Sequence, residues 1–300
     1  MSSTTPYDVL YTPDLTKLPD PQTFHSVEGA DVAIQKVGIN NFEFPILTRD
    51  STRYGVPLDN QPASISLYVD LPKGVKGINM SRLVRVTAEE DNGEFKGLDV
   101  SSNTEMKRYL GLMLDRAEAN TVYFKAKYKA AVQQPSLRSG LVGYQYYNVE
   151  RELSLTREGK FAQYTTVDFI YSSACPCSYE LAKQAIRERF VDAISHSQRS
   201  LCRVTVKHDD ELYDDEIVMM LREALVTEVQ VMVKREDEQA FAELNGSYPK
   251  FVEDAARLVF DRLSREARII DFVSVHEHWE SLHGHNAVSV IRKLDNGGLK

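Results

Sequence analysis

The chain has 300 residues, of which 42% are hydrophobic and 27% are charged, a composition typical of a soluble globular protein. Its formal net charge of −8 disfavours non-specific binding to nucleic acid or to an anionic membrane surface. It also lacks an apolar run of the roughly 20 residues that a membrane-spanning helix requires.

Residues 1–30 are polar and rich in proline. They contain no basic segment followed by an apolar stretch, so we do not expect a secretory signal here. We predict that this segment is a flexible N-terminal arm.

The pattern of apolar residues in the first half of the chain predicts strands, then helices, then strands. Apolar and polar residues alternate, which indicates strands, at 31–39, 63–71, 121–134 and 141–159. Apolar residues recur at three-and-four spacing, which indicates helices, at 80–90 and 104–119.

The second half repeats the pattern approximately. Strands are predicted at 161–174, 199–209, 268–278 and 286–294, and helices at 178–195, 213–226 and 248–266. The recurrence favours two similar modules in tandem, the first at 31–160 and the second at 161–300.

Two of the three cysteines, Cys175 and Cys177, flank Pro176. An odd cysteine count implies no disulfide framework, so we expect a reducing cytoplasm. A thiolate is a soft ligand for zinc or ferrous iron. Most metal ribbons use two cysteine pairs, however, and one pair alone leaves open a free buried cysteine beside a surface thiol.

Four histidines, His276, His278, His283 and His285, lie within ten residues. Imidazole is the commonest protein ligand for first-row metals. His283 and His285 stand two apart where a turn is expected to enter a strand, so both could point into one cavity. The alternative is a solvated histidine-rich turn.

Carboxylates form a third group. The run Glu236, Asp237 and Glu238 would on its own be a solvated surface. Glu253 flanks the apolar stripe of the predicted helix 248–266 and could lie at the rim of a cleft. One thiolate, one carboxylate and one imidazole with an open fourth position would make a catalytic metal site, which generates hydroxide at neutral pH.

Several motifs together resemble the type IB GTP cyclohydrolases: SACPCS, HSQRS, KREDEQAF, YPKFVEDAARLVFDRL and WESLHGHNAV. The resemblance extends from about residue 30 to 292 and includes KVGINNFEFPI and QPASISLYVDLP in the first half. It implies an α+β tunnelling fold, or T-fold, of two tandem ββααββ modules with antiparallel sheets and helices packed on one face. It also implies a homotetramer, a dimer of dimers.

The implied reaction converts GTP and water to formate and 7,8-dihydroneopterin triphosphate, the first step of folate-type pterin synthesis. In this resemblance Cys175, Glu238 and His283 correspond to the ligands of a zinc, ferrous iron or manganese ion, and His285 is a possible second histidine.

The same resemblance gives catalytic roles to Cys175, Cys177, His196 and Glu253. Glu253 would accept hydrogen bonds from the guanine ring edge, while Cys177 and His196 would transfer protons. Basic residues near these motifs, with Arg199 as the candidate, would meet the triphosphate.

Two other functions fit the same fold. A nitrile reductase would use one nucleophilic cysteine and a nicotinamide cofactor without a metal, and the second cysteine and the histidine cluster argue against it. A non-catalytic module that binds purines or pterins would hold metal but release no formate, and the spare acid–base groups argue against it.

Overall fold

The computed structural model describes residues 27–49, 61–88 and 97–294. The predicted flexible arm therefore lies outside the described residues, apart from residues 27–30.

Strands and helices alternate irregularly along the described chain. The strands are β1 (Ile34–Leu47), β2 (Gln61–Leu71), β3 (Leu98–Asp99), β4 (Thr121–Pro135), β5 (Val142–Thr156), β6 (Phe161–Ala174), β7 (Ser197–His208), β8 (Ile269–His278) and β9 (Ala287–Arg292). The helices are α1 (Met80–Ala88), α2 (Asn103–Ala117), α3 (Pro176–Arg189), α4 (Asp214–Leu225), α5 (Arg235–Ser247) and α6 (Val252–Ser264).

All nine strands of the described residues belong to one sheet, in the order β3-β1-β2-β4-β5-β6-β7-β8-β9. Neighbours are antiparallel, except that β1 and β3 are parallel. One face of the sheet is buried: along β4, for example, Val122, Phe124, Ala126 and Tyr128 alternate with more exposed residues. Five helices, α1, α2, α4, α5 and α6, contact this sheet, with α2 against β4 and β5 and α6 against β8 and β9.

The predicted tunnelling fold of two tandem ββααββ modules is wrong. A tight turn at Gly159, whose φ is 84°, reverses the chain, and β5 pairs with β6 from Leu155↔Phe161 to Val149↔Val167. This pairing joins the two halves into one mixed sheet. The second half also departs in element order, because α3 separates β6 from β7 and three helices separate β7 from β8. A division of the chain at residue 160 stays a prediction.

The last part of β6 has a different neighbour. Beyond Val167 the strand is no longer paired with β5, and the segment after α4 takes that place. The backbone N–H of Ser172 donates to the carbonyl oxygen of Thr227 over 2.7 Å, and that of Val229 donates to Ile170 over 3.4 Å. The connection between α4 and α5 therefore supports the strand that leads to Cys175.

Several loops meet at one end of the sheet. Ala174, at the end of β6, pairs with Ser197, at the start of β7, and His278, at the end of β8, pairs with Ala287, at the start of β9. We call this the site end of the sheet. Among the described helices, none has the length and apolar character needed to cross a membrane.

Candidate active site

Cys175 and His196 lie together at the site end. Cys175 follows β6 and is the N-cap residue of α3, and its backbone N–H donates to the carbonyl oxygen of His196 over 3.2 Å. The backbone N–H of His196 donates to Ser178 Oγ over 3.2 Å, and Ser195 Oγ donates to the carbonyl oxygen of Cys175 over 3.0 Å. The first turn of α3 thus fixes the backbone of His196.

The two cysteines differ in exposure. Cys175 is half-buried, whereas Cys177 is exposed in the first turn of α3. Pro176 opens the helix, a favoured placement because proline lacks the N–H that would have no helical partner there. Both thiols lie at the N-terminal end of α3.

The imidazole of His196 faces two acceptor oxygens. Its Nδ1 lies 3.2 Å from Gln198 Oε1 and 3.6 Å from Glu280 Oε2. The side chains of His196 and Glu280 are only 18% and 12% exposed, so the carboxylate acts in a partly desolvated setting. Sequence reasoning missed Glu280 and Gln198 as site residues, although both stand inside the quoted motifs WESLHGHNAV and HSQRS.

Glu238 lies in the first turn of α5 with an exposed side chain. Its neighbour Asp237 is buried and accepts hydrogen bonds from the backbone N–H groups of Arg138 and Ser139 over 2.7 and 2.9 Å. Burial alone would raise the pKa of Asp237, but hydrogen bonds from Ser139, through its side chain and its backbone, and from the backbone N–H groups of Lys234 and Arg138 outweigh it and hold that pKa well below its usual range. Asp237 therefore anchors α5 to the β4–β5 turn, and Glu238 is the free carboxylate of the pair.

Glu253 is exposed in the first turn of α6. Just before it, the backbone N–H of Lys250 donates to the carbonyl oxygen of Ala174 over 3.2 Å, which brings the start of α6 beside Cys175. Lys250 itself is buried, and its Nζ donates to Thr227 Oγ1 over 3.2 Å and to the carbonyl oxygen of Tyr248 over 2.7 Å. Burial lowers its pKa to about 8. Lys250 is a third residue that the sequence reasoning did not single out.

The four clustered histidines divide into two pairs. His276 and His278 are buried on β8, and burial lowers the pKa of each to about 4. His283 and His285 are exposed in the β8–β9 connection, where their rings stack with centroids 4.9 Å apart. In the described chain, the second pair therefore lies at the surface of the site end.

The predicted metal ligands come from three separate elements. Cys175 caps α3, Glu238 lies on α5 and His283 lies in the β8–β9 connection. Their sulfur, oxygen and nitrogen donors suit zinc, ferrous iron or manganese. Within residues 27–49, 61–88 and 97–294, however, no three side chains of the His, Cys, Asp and Glu types are grouped closely enough to hold a metal ion.

Comparison with known proteins identifies the family. The family model described as "Type I GTP cyclohydrolase folE2" matches residues 18–289. A GTP cyclohydrolase FolE2 from Dinoroseobacter shibae is 42% identical over 280 residues, which cover 91% of this chain and 74% of that protein. The FolE2 protein of Paracoccus denitrificans is 43% identical over 267 residues, covering 88% of this chain and 80% of that protein.

Among solved structures, a uricase from Arthrobacter globiformis aligns with 88% of this chain and 94% of its own, at 8% identity and a TM-score of 0.47. That likeness is too weak to bear on fold or function. The sequence matches decide the assignment, and the chain belongs to the type I GTP cyclohydrolase family described as folE2.

Proposed function

We propose that this protein is a GTP cyclohydrolase of folate biosynthesis, which converts GTP and water to formate and 7,8-dihydroneopterin triphosphate. The observation that carries the proposal is the family match over residues 18–289. The relatives at 42% and 43% identity carry the name GTP cyclohydrolase FolE2. The juxtaposition of Cys175 and His196 at the site end supports the same reaction.

The finer assignment, to the type IB enzymes, rests on the motifs. Cys175-Pro176-Cys177, the HSQRS motif around His196 and the WESLHGHNAV motif occur in the order expected for that class. Their elements meet at one end of the sheet, which supports a common site.

For substrate binding we infer roles for two exposed groups. The carboxylate of Glu253 is accessible at the start of α6 and would accept hydrogen bonds from the guanine N–H groups. The guanidinium of Arg199 lies over the ring of Trp279, 5.8 Å from its centroid, and would meet the triphosphate. Cys177 and His196 would move protons as the imidazole ring of guanine opens.

We infer further that a divalent ion, namely zinc, ferrous iron or manganese, is held by Cys175, Glu238 and His283, with His285 as a possible second histidine. Such an ion would supply hydroxide at neutral pH. Because one chain does not group these ligands, we propose that copies of the chain complete the site when they associate as a homotetramer. The charge of −8 gives no support to a nucleic acid or membrane partner.

A cytoplasmic location is part of the same proposal. Its support is that all three cysteines, Cys175, Cys177 and Cys202, are free thiols in the structure, as a reducing compartment maintains them.

The test is a turnover assay with metal-reconstituted protein and GTP. We expect formate and an oxidisable, fluorescent pterin in equal amounts, both lost when a chelator is added. GTP binding without formate under zinc, manganese and anaerobic ferrous iron would contradict the proposal and indicate a binding module. Nicotinamide-dependent nitrile reduction would indicate the reductase instead.

A further inference from the structure

A chain of hydrogen-bonded side chains lies behind the ring of His196. Gln198, on β7, places its Nε2 2.8 Å from Ser173 Oγ and its Oε1 3.2 Å from His196 Nδ1. Ser173 Oγ lies 2.8 Å from Ser200 Oγ, and both serines are fully buried. The amide of Gln198 is therefore held between a buried hydroxyl pair and the imidazole.

This arrangement follows from strand register. Ser173 on β6 and Gln198 on β7 are directly paired across the ladder, so their side chains lie on the same face of the sheet. The backbone of His196 is already fixed by Ser178 and Cys175, so only its side chain could still rotate. Gln198 restricts the orientation of the imidazole ring by binding one ring nitrogen.

The hydrogen bonds alone allow two arrangements of the amide. Gln198 could present its oxygen to an Nδ1–H, or its NH₂ group to an unprotonated Nδ1, because the hydroxyl of Ser173 can accept or donate. Glu280 distinguishes the two. Its Oε2 lies 3.6 Å from Nδ1, so a lone pair on Nδ1 would face a carboxylate, whereas an N–H there is attracted to it.

We propose that Gln198 is a positioning residue which, together with Glu280, holds His196 as the Nδ1–H tautomer and leaves Nε2 as the acceptor for proton transfer. The use of Nε2 in catalysis rests on the proposed function. The assignment of the Nδ1–H tautomer is independent of that function, because it follows from groups present in the protein without substrate.

The test separates these two parts. The protein is labelled at its histidine ring nitrogens and observed by solid-state nitrogen NMR, which distinguishes protonated from unprotonated ring nitrogens; His196→Asn identifies the signals of His196 among the seven histidines. We compare wild type with Gln198→Met, Gln198→Glu and, as the control, Ser197→Ala at the exposed neighbouring position.

In wild type and in S197A we expect Nδ1–H and a free Nε2. Q198M removes the acceptor, so we expect mixed tautomers and a fall in kcat of about tenfold with little change in KM for GTP, the effect of losing one hydrogen bond. Q198E restores an acceptor, and Ser173 can donate to it, so we expect the tautomer and most of kcat to return. A defect of folding alone would not be rescued in this way.

The inference is overturned if wild-type His196 carries its proton on Nε2, or if Q198M keeps both the Nδ1–H tautomer and kcat. A wild-type protein with the expected tautomer but no formate production would contradict the proposed function and support the assignment of Gln198.

Discussion

The backbone N–H of Cys175 donates to the carbonyl oxygen of His196, with 3.2 Å between the two atoms. This bond joins the end of β6 to the residue before β7, across the whole length of α3. The segment formed by α3 and the loop after it therefore has its two ends close together in space. One backbone hydrogen bond thus holds a proposed thiolate ligand next to a proposed proton-transfer group.

Replacing Cys175 with alanine tests the thiolate ligand. The thiol makes no capping hydrogen bond to α3, so we expect the free energy of unfolding to change by only about 0.5 kcal/mol. Bound metal per chain and formate production should both fall to background. Metal analysis, urea unfolding and the formate assay measure the three quantities.

Cys202→Ala is the matched control. Cys202 is fully buried on β7, away from the loops of the site end. We expect this variant to lose about 1 kcal/mol of stability while it keeps metal and turnover. Full metal content and activity in C175A would contradict the ligand assignment.

Glu253→Gln tests the guanine anchor. A neutral amide loses the charge-assisted hydrogen bonds to the guanine N–H groups, which contribute about 1.5–3 kcal/mol each. We expect the dissociation constant for GTP, measured by calorimetry, to rise by about tenfold to a hundredfold. Glu236→Gln, an exposed carboxylate in the first turn of α5, is the control and should leave the affinity unchanged. Equal affinities of E253Q and wild type would exclude this role.

Local elements were predictable where the hydrophobic period is strong. The strand predicted at 161–174 is β6, and the helix predicted at 104–119 is α2, which begins one residue earlier, at Asn103, and ends two residues earlier, at Ala117. In contrast, α5 was missed because its sequence is highly charged and buries only Asp237 and Ala240.

The predicted helix 178–195 was too long. It ends at Arg189, and Phe190 takes a left-handed conformation with φ 54°. A side-chain period identifies a strand and its buried face, but not its neighbour, so the single sheet could not be predicted.

The same limit applies to the site. Cys175 and His196 stand in motifs that sequence reasoning selected, and the backbone N–H of Cys175 donates to the carbonyl oxygen of His196. The roles given to the site residues all stay predictions: Cys175, Cys177, His196, Glu238, Glu253, His283 and His285. Glu280 and Gln198 became visible only through their distances to one ring nitrogen, because contacts between β7 and the end of β8 are not encoded in local spacing.

The buried ion pair of Arg151 and Asp214 offers a test of the core. Arg151 Nη2 lies 2.9 Å from Asp214 Oδ1, and Arg151 Nε lies 3.1 Å from Tyr128 Oη; both charged side chains are at most 5% exposed. Arg151→Ala would leave a buried carboxylate without its counter-charge, so we expect a loss of about 3–5 kcal/mol in urea unfolding.

The surface pair Arg265–Asp261 is the comparison. Its side chains are 70% and 63% exposed, so Arg265→Ala should cost less than about 0.5 kcal/mol. The double variant R151A/D214A should recover part of the loss, because no buried charge is left unpaired. Equal effects of R151A and R265A would be inconsistent with this buried network.

His276 makes stability depend on pH. Burial, and to a lesser extent the charge of His278, lower its folded-state pKa from 6.5 to about 4. As the pH falls below 6.5 the unfolded chain binds the proton first, so this stability is present above pH 6.5 and is lost as the pH falls toward 4. The shift corresponds to on the order of 3 kcal/mol.

His276→Gln should therefore reduce the acid sensitivity of unfolding. The free energy of unfolding of the two proteins is measured by urea titration from above pH 7 down to pH 4. We expect the difference in this free energy between wild type and H276Q to be constant above pH 7. At lower pH the advantage of wild type should narrow, and H276Q should then become the more stable protein. Parallel curves for the two proteins down to pH 4 would show that His276 does not bind its proton on unfolding.

Gly38 tests the register of β1 and β2, in which Gly38 pairs with Tyr68. A Cβ atom at Gly38 would lie 2.0 Å from the carbonyl oxygen of Leu67 and 2.8 Å from the Cα of Tyr68, so alanine would have to push the two strands apart. We expect Gly38→Ala to lower the free energy of unfolding by more than about 2 kcal/mol.

Gly111, on α2, is the control. It has no atom within 4 Å of such a Cβ, and Gly111→Ala should instead raise stability by about 0.5–1 kcal/mol through helix propensity. If the described register is correct, urea unfolding should show a lower free energy of unfolding for G38A and a higher one for G111A. A G38A variant as stable as wild type would require a different alignment of β1 and β2.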